Sequence, residues 1–456
     1  IEGEYNKDYS GISTSLSSDG SIVAIGAPGN EPGNRGHVRI YQNKIGKWEQ
    51  IGSDIDGEAA WDNFGRSVSL SSDGSIVAIG AYGNNGANGA DTGHVRIYEN
   101  INNAWIKVGN DIDGEAANDK SGSEQSVSLS SDGSVVAIGS YLNDDNGVDS
   151  GHVRIFRNYE NEWIQVGNTL VGEGSNDQSG KAISLSDDGS VVAIGAIYND
   201  GDGTDRGHVR IYQNVDGTWT KIGDDIKGAI SGDHLGNSVS LSSDGSIIAI
   251  GAVQNDENIN SNGYVSIYKN LNNKWTQIGD DIEGTSKGDL SGFSVTLSND
   301  GSIVAIGSPN NDDNGEDSGL VRVYQIDLDE TAPSIQGPSG DAGDSTSSKS
   351  ISENSSAIHT FSSNETVTWS LSGGDDQSNF VINSSTGELS FSSAPDYEDP
   401  TDTGKNNSYE VTLQATDSAN NTSNQSITIS VEDVDETSSS IITTSGNWKQ
   451  IGGDIS

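Results

Sequence analysis

One eleven-residue segment recurs along this chain and limits what it can fold into more than any other feature. Ser17–Ala27 reads SSDGSIVAIGA, and it returns at Ser71–Ala81, Ser130–Ser140, Ser186–Ala196, Ser242–Ala252 and Ser298–Ser308 with small changes. The aspartates of the six copies, Asp19, Asp73, Asp132, Asp188, Asp244 and Asp300, are spaced by 54, 59, 56, 56 and 56 residues. Around each copy the pattern predicts four short strands. Ser67–Leu70 alternates polar and apolar, and Ser72-Asp73-Gly74 is an Asp-Gly hairpin turn in which glycine takes the positive φ. Ser75–Gly80 is nearly continuously apolar, as a strand buried on both faces should be. Gly93–Tyr98 supplies the third strand. The fourth is Trp105–Gly109, running on to Asp111-Ile112. No helical period interrupts the unit.

Such a unit cannot bury its two faces alone, whereas a ring of units can, so the expected fold is all-β, a six-bladed β-propeller over residues 1–326. A linear solenoid is the alternative and would need capping repeats. The ends of the chain favour closure. The fourth strand occurs at Trp48, Trp105, Trp163, Trp219 and Trp275, is missing after the sixth copy, and reappears as Asn447–Ile455. Ile1-Glu2-Gly3-Glu4 matches the segment that follows the fourth strand elsewhere, Ile55-Asp56-Gly57-Glu58. The terminal stretch 446–456, with Trp448, Ile451 and Ile455, is therefore expected to complete the sixth blade and close the ring. The same strand could instead enter a neighbour's blade, because unpaired sheet edges accept strands readily; the chain would then be a filament subunit.

Composition narrows the function. Sixty-eight acidic residues face 23 basic ones, a formal charge of -45. A surface this acidic repels nucleic acid and anionic membranes and favours multivalent cations or cationic partners. No run approaches the ~18 apolar residues of a membrane-spanning helix. Cysteine and methionine are absent and the first residue is Ile1, which excludes disulfides and thiolate chemistry and points to a mature product or an excerpt of a longer chain. Acidity, missing sulfur and abundant Asn, Ser and Gly suggest an exported, bacterial-type extracellular protein.

Residues 332–437 differ from the ring. Flanked by the Pro/Gly/Ser/Asp-rich linkers Thr331–Ser350 and Thr437–Ser445, the segment carries its own strands at Val367–Leu371, Phe380–Asn383, Glu388–Ser392, Tyr409–Thr416 and Ser426–Val431. They predict an inserted β-sandwich.

Two resemblances follow. Phe64-Gly65 ahead of a first strand and Gly26-Ala27-Pro28 after a second, with relaxed forms at Ser179-Gly180 and Gly195-Ala196-Ile197, make the ring similar to the FG-GAP repeats of integrin-alpha propellers. That family usually has seven blades. Its calcium loop joins strands one and two, where this chain has only the tight SSDGS turn, so the resemblance brings no calcium to the ring. The insert resembles a cadherin-like domain through Ser352-Glu353-Asn354, Trp369–Asp375, Phe380–Gly387, Asp396-Tyr397-Glu398, Ala415-Thr416-Asp417 and Asp433-Val434-Asp435. This implies calcium, with Glu353, Asp396, Glu398, Asp417, Asp433 and Asp435 as ligands, because clustered carboxylates supply the hard oxygens the ion needs.

Other features have a plain structural reading beside the functional one. The Asn/Asp/Gly loops Asn143–Asp149, Asn199–Asp205 and Asn311–Asp317 resemble cation loops, yet these residues also simply suit turns. His94, Arg96 and Tyr98 share one face of the third strand, and histidine recurs at His37, His152 and His208 but becomes Tyr264 and Leu320. A catalytic group is needed once, so a repeated one reads as an inter-blade hydrogen bond or else as a multivalent binding site. No nucleophile elbow, phosphate loop or HExxH helix is present. The expectation is a non-enzymatic extracellular adhesion or structural protein making calcium-tuned contacts with a protein, a surface glycan or its own copies. A glycan-binding lectin and a channel-centred hydrolase are the other classes.

Overall fold

The computed structural model describes residues 1–201, 203–253, 262–328, 331–419 and 421–435. It contains no α-helix among them and divides into two compact units, Ile1–Ile326 and Asp327–Ser456.

The first unit is a series of antiparallel sheets, one per repeat. In sheet 1, Ser13–Leu16, Ile22–Ala27, His37–Lys44 and Lys47–Gln50 pair in order, and the two-residue strand Ile55–Asp56 pairs back onto His37–Lys44. Sheets 2 to 5 repeat this five-stranded plan from Ser67, Val127, Ala182 and Leu235. Among the described residues sheet 6 has three strands, Ser294–Leu297, Ile303–Ser308 and Leu320–Gln325.

The hairpin turn forms as its residues dictate. Gly74 takes φ 70°, Ser71 Oγ donates to Asp73 Oδ1 at 2.8 Å, and Asp73 Oδ1 accepts the Ser75 N–H at 2.9 Å. The expected fourth strand differs from the structure. It is split into Ala104–Lys107 and Ile112–Asp113, both paired with His94–Ile101. Gly109 makes the break at φ 72°, where a Cβ would lie 2.6 Å from the Asn161 carbonyl oxygen of the next sheet.

Successive sheets are joined by one bond set, used five times. Leu70 N–H donates to Ser15 Oγ at 2.9 Å, and Leu129, Leu185, Leu241 and Leu297 donate to Ser69, Ser128, Ser184 and Ser240 at 3.0 Å. Turn to turn, Ser18 N–H donates to Ser72 O, Ser72 to Ser131, Ser131 to Asp187, Asp187 to Ser243 and Ser243 to Asn299, each at 2.8 Å. The apolar layers lie between these bonds. Ala24, Val38, Ile40 and Ile55 of sheet 1, for instance, pack on Val68, Leu70, Val77 and Ile79 of sheet 2.

Closure of the first unit by its own sixth and first sheets is not formed among the described residues. Leu16 is 58% exposed, although its counterparts Leu70, Leu129, Leu185 and Leu241 are buried. Val321 and Val323 of sheet 6 are 69% and 65% exposed, where Val38 and Ile40 of sheet 1 are buried. The expected closing strand, with Trp448, Ile451 and Ile455, lies outside the described residues.

The second unit is a β-sandwich. Thr346–Ser352 runs parallel to Thr422–Glu432, which pairs with Ser408–Thr416, which pairs with Thr368–Gly373. A second sheet joins Ala357–Thr360, Glu388–Phe391 and Phe380–Ile382. Trp369, Phe380, Leu389, Phe391, Tyr409 and Ile427 belong to the single core these sheets share.

Candidate metal centre and repeated histidine clusters

In the second unit three carboxylates converge from separate segments. Glu353 follows the strand Thr346–Ser352, Asp433 follows Thr422–Glu432, and Glu398 lies in the intervening loop; one oxygen of each falls within 4.8 Å of the others. Glu353 is buried. Its Oε2 accepts the Tyr397 N–H and its Oε1 the Val434 N–H, both at 2.9 Å, so one carboxylate holds both loops. Each oxygen keeps a second lone pair. Partial desolvation, then repulsion from Glu353, Asp433 and Asp396, pushes the Glu398 carboxyl above its ordinary value. A divalent cation would relieve that repulsion, and hard oxygens are the ligands calcium takes.

The other three residues expected as ligands stand apart from this trio. Asp396 accepts the N–H groups of Glu398 and Asp399 at 3.0 and 3.2 Å and shapes its own turn. Asp417 sits at the far end of the hairpin Ser408–Thr416/Thr422–Glu432 from Asp433, accepting the backbone and side-chain N–H groups of Asn421. Asp435 is exposed two residues beyond Asp433. Sequence reading missed Asp376 and Asp402, which are buried caps. Asp376 accepts from Thr403 and Glu410 backbone N–H groups, and Asp402 from Asn406 and Asn407. The position of each before a polar turn was the available signal.

In the ring, four histidines each meet two carboxylates. The groups are Glu4–His37–Asp54, Glu58–His94–Asp111, Glu115–Asp145–His152 and Glu173–His208–Asp225. Each histidine is buried; Glu58, Glu115 and Glu173 come from the segments following sheets 1, 2 and 3, and Glu4 from the segment ahead of sheet 1. Each also meets the arginine two residues after the histidine, with Arg39–Glu4, Arg154–Glu115 and Arg210–Glu173 at 3.6, 3.6 and 3.5 Å and Arg96 paired to Glu58. The last three groups thus tie sheets 2, 3 and 4 each to the one before it, and the first ties sheet 1 to the N-terminal segment. Where tyrosine replaces histidine, Tyr264 Oη donates to Asp233 at 2.9 Å. The first residue of each Asx-rich loop bonds to an aspartate far back in the chain: Asn143 to Asp119, Asn199 to Asp177 and Asn311 to Asp289.

Burial, then the neighbouring arginine, lowers the His94 imidazole, and the same causes bring His208 down to about 4. In the unfolded chain histidine titrates near 6.5. Stability is therefore fully present above about pH 6.5 and is lost as pH falls towards about 4, because the unfolded state binds protons the folded state refuses. We expect the urea midpoint to drop across that window, and His208→Gln to flatten part of the decline. A pH profile indifferent to the substitution would remove this assignment.

The FG-GAP repeat family model matches residues 54–98, which run from the last strand of sheet 1 through the third strand of sheet 2. No curated protein matches the chain. Among solved structures it is similar to the periplasmic gluconolactonase of Pseudomonas aeruginosa, with 14% identity, 72% of this chain and 83% of that one covered, and a TM-score of 0.48. A protein described as a 6-phosphogluconolactonase from Bacteroides uniformis gives 11% identity, 70% and 81% coverage and a TM-score of 0.48. Hydrazine synthase of Kuenenia stuttgartiensis gives 13%, 68% and 77%, and 0.45. This corrects one expectation. The sequence pointed to a non-enzymatic protein, yet the chain's structural neighbours include gluconolactonases, which are enzymes. At these identities the likeness brings no substrate with it.

Proposed function

We propose that this chain is an extracellular structural or adhesion protein, in which a six-bladed propeller-type scaffold carries a cadherin-like sandwich whose contacts are tuned by calcium. The observation that carries this reading is the convergence of Glu353, Glu398 and Asp433 from three separate segments. Its partner would be a protein or a surface glycan, and the ion would order the loops that Glu353 already holds. The acidic composition and the absence of cysteine fit an exported protein.

A calcium titration by calorimetry tests it. One saturable site is expected, weakened at least 10-fold by Glu398→Gln with Asp433→Asn. Calcium at 100 times its Kd should then stabilise the sandwich by about 2.7 kcal/mol. Heats that do not saturate, or that ignore the double substitution, would refute the reading.

A second reading, a filament subunit built by strand donation, draws on the three-stranded sheet 6 and on the match of Asn447–Ile455 to the fourth strand of sheet 1. Light scattering on the same samples separates the two. A mass that stays at 47.5 kDa with and without calcium opposes the filament, and open-ended polymers lost on deleting 447–456 support it.

A further inference from the structure

The repeats are nearly identical along their strands but diverge at one end of the sheet series. At the start of the first strands stand Ile12, Arg66, Gln125 (Ser126 intervening), Lys181 and Phe293, each ahead of its strand, and Asn237, inside the strand Leu235–Leu241: six different side chains. Three residues earlier, or five in sheet 3, at Tyr9, Asn63, Lys120, Gln178, His234 and Leu290, every copy places a non-glycine residue in the left-handed region, with φ between 53° and 56°. Such a conformation costs on the order of 1 kcal/mol or more for a residue with a Cβ, and glycine would avoid it. All six copies keep a side chain there, and all six differ. Strain held in every copy, with varied side chains, marks a surface whose chemistry matters.

These positions converge. Gln125 of sheet 3 and Asn237 of sheet 5 both donate to the Phe293 carbonyl oxygen at the start of sheet 6, at 3.2 and 3.1 Å. The beginnings of the first strands of sheets 3, 5 and 6 therefore come together. Around sheets 2 to 4 this end of the series gathers cations and tyrosines. Lys181 Nζ lies 4.5 Å from the Tyr141 ring centroid, and Lys120 Nζ lies 5.4 Å from that of Tyr82. Arg66 pairs with Glu124, and Lys120 with Asp91 at 2.9 Å. The Lys181 ammonium, by contrast, makes no hydrogen bond or ion pair among the described residues; the backbone N–H of Lys181 donates to Gln178 O. In a chain where acids outnumber bases 68 to 23, an ammonium without a carboxylate stands out. Burial, then the Arg66 guanidinium, lowers its proton affinity, so its charge is held at a cost that an anion would remove.

We propose that this end of sheets 2 to 4 is a binding site for a small organic anion, a carboxylate or phosphate, whose charge meets Lys181 and Arg66 and whose carbon skeleton lies on Tyr141 and Tyr82. Glu124 restricts the site to a ligand that approaches Arg66 from the Lys181 side. The proposal is independent of the calcium reading, because every residue in it belongs to the first unit.

Calorimetric titration of the full chain with glucuronate and with glucose 6-phosphate, against neutral glucose, tests it. Saturable binding of at least one anion is expected, weakened 10-fold or more by Lys181→Gln and unchanged by Lys107→Gln, a surface lysine paired with Asp111. Acetylation of Lys181 by an amine-selective reagent, read by peptide mass spectrometry, gives a check without mutation: the bound anion should slow it several-fold relative to Lys107. Glucose binding as tightly as the anions, an unaffected Lys181→Gln variant, or no protection of Lys181 would each overturn the proposal. Calcium heats in the same samples report separately on the sandwich.

Discussion

Gly139→Ala is expected to unfold much of the first unit, and Gly307→Ala to be tolerated. Gly139 lies in the second strand of sheet 3, where an added Cβ would stand 2.1 Å from the Gly180 carbonyl oxygen of the following sheet. Both partners are backbone, so neither can rotate away. The same contact recurs at Gly26, Gly80, Gly195 and Gly251, at 2.0 to 2.1 Å. The two sheets would have to separate, breaking the Leu185-to-Ser128 bond and the apolar layer around Val153 and Ile183. Overpacking that cannot relax should cost at least about 3 kcal/mol. Gly307 is the same position in sheet 6, but there a Cβ meets only Ser294 Oγ closely, at 2.4 Å, and a hydroxyl can turn. Thermal unfolding of the two variants side by side checks the expectation. Equal loss in both would mean that the glycine serves its own strand and not the joint between sheets.

The second large effect is expected at Glu353→Ala. The change removes the buried carboxylate that accepts the Tyr397 and Val434 N–H groups, and hydrogen bonds to a charged group are worth about 1.5–3 kcal/mol each. A loss of about 2–5 kcal/mol from the sandwich follows, read as faster hydrogen exchange in Ser408–Thr416. Removing one negative charge from a chain at -45 should on its own help slightly, so the sign identifies the cause. Asp375→Asn, an exposed charge removal in the same unit, is the matched control and should leave exchange unchanged. Added calcium should not rescue Glu353→Ala, because the loops that present Glu398 and Asp433 are then no longer held together.

Much of this architecture is legible in the sequence because it is local. The Ser-Asp-Gly turn closes through atoms two residues apart, and the period of two puts Val38 and Ile40 on the opposite face from His37 and Arg39. Where a feature depends on a neighbour, the reading failed. The fourth strand breaks at Gly109 because the next sheet stands against it. Asp417 matched a ligand motif yet lies a full strand away from Glu353, since a motif records order along the chain and not which end of a hairpin a residue reaches. Lys181 drew no attention, because nothing beside it in sequence shows that it meets Tyr141 and Arg66.

Sequence alone was enough for the all-β class, the period of the repeat, the turn chemistry and the acidic, sulfur-free surface, all of which follow from residue type and short-range spacing. Three things required the folded chain: that Leu16 and Val321 stay exposed at the two ends of the sheet series, that three of six expected carboxylates gather at Glu353, and that Gln125 and Asn237 of different sheets meet at the Phe293 carbonyl. Each depends on the angle and separation between sheets. Those are set by backbone contacts such as Gly139 against the Gly180 carbonyl, made between residues far apart in the chain.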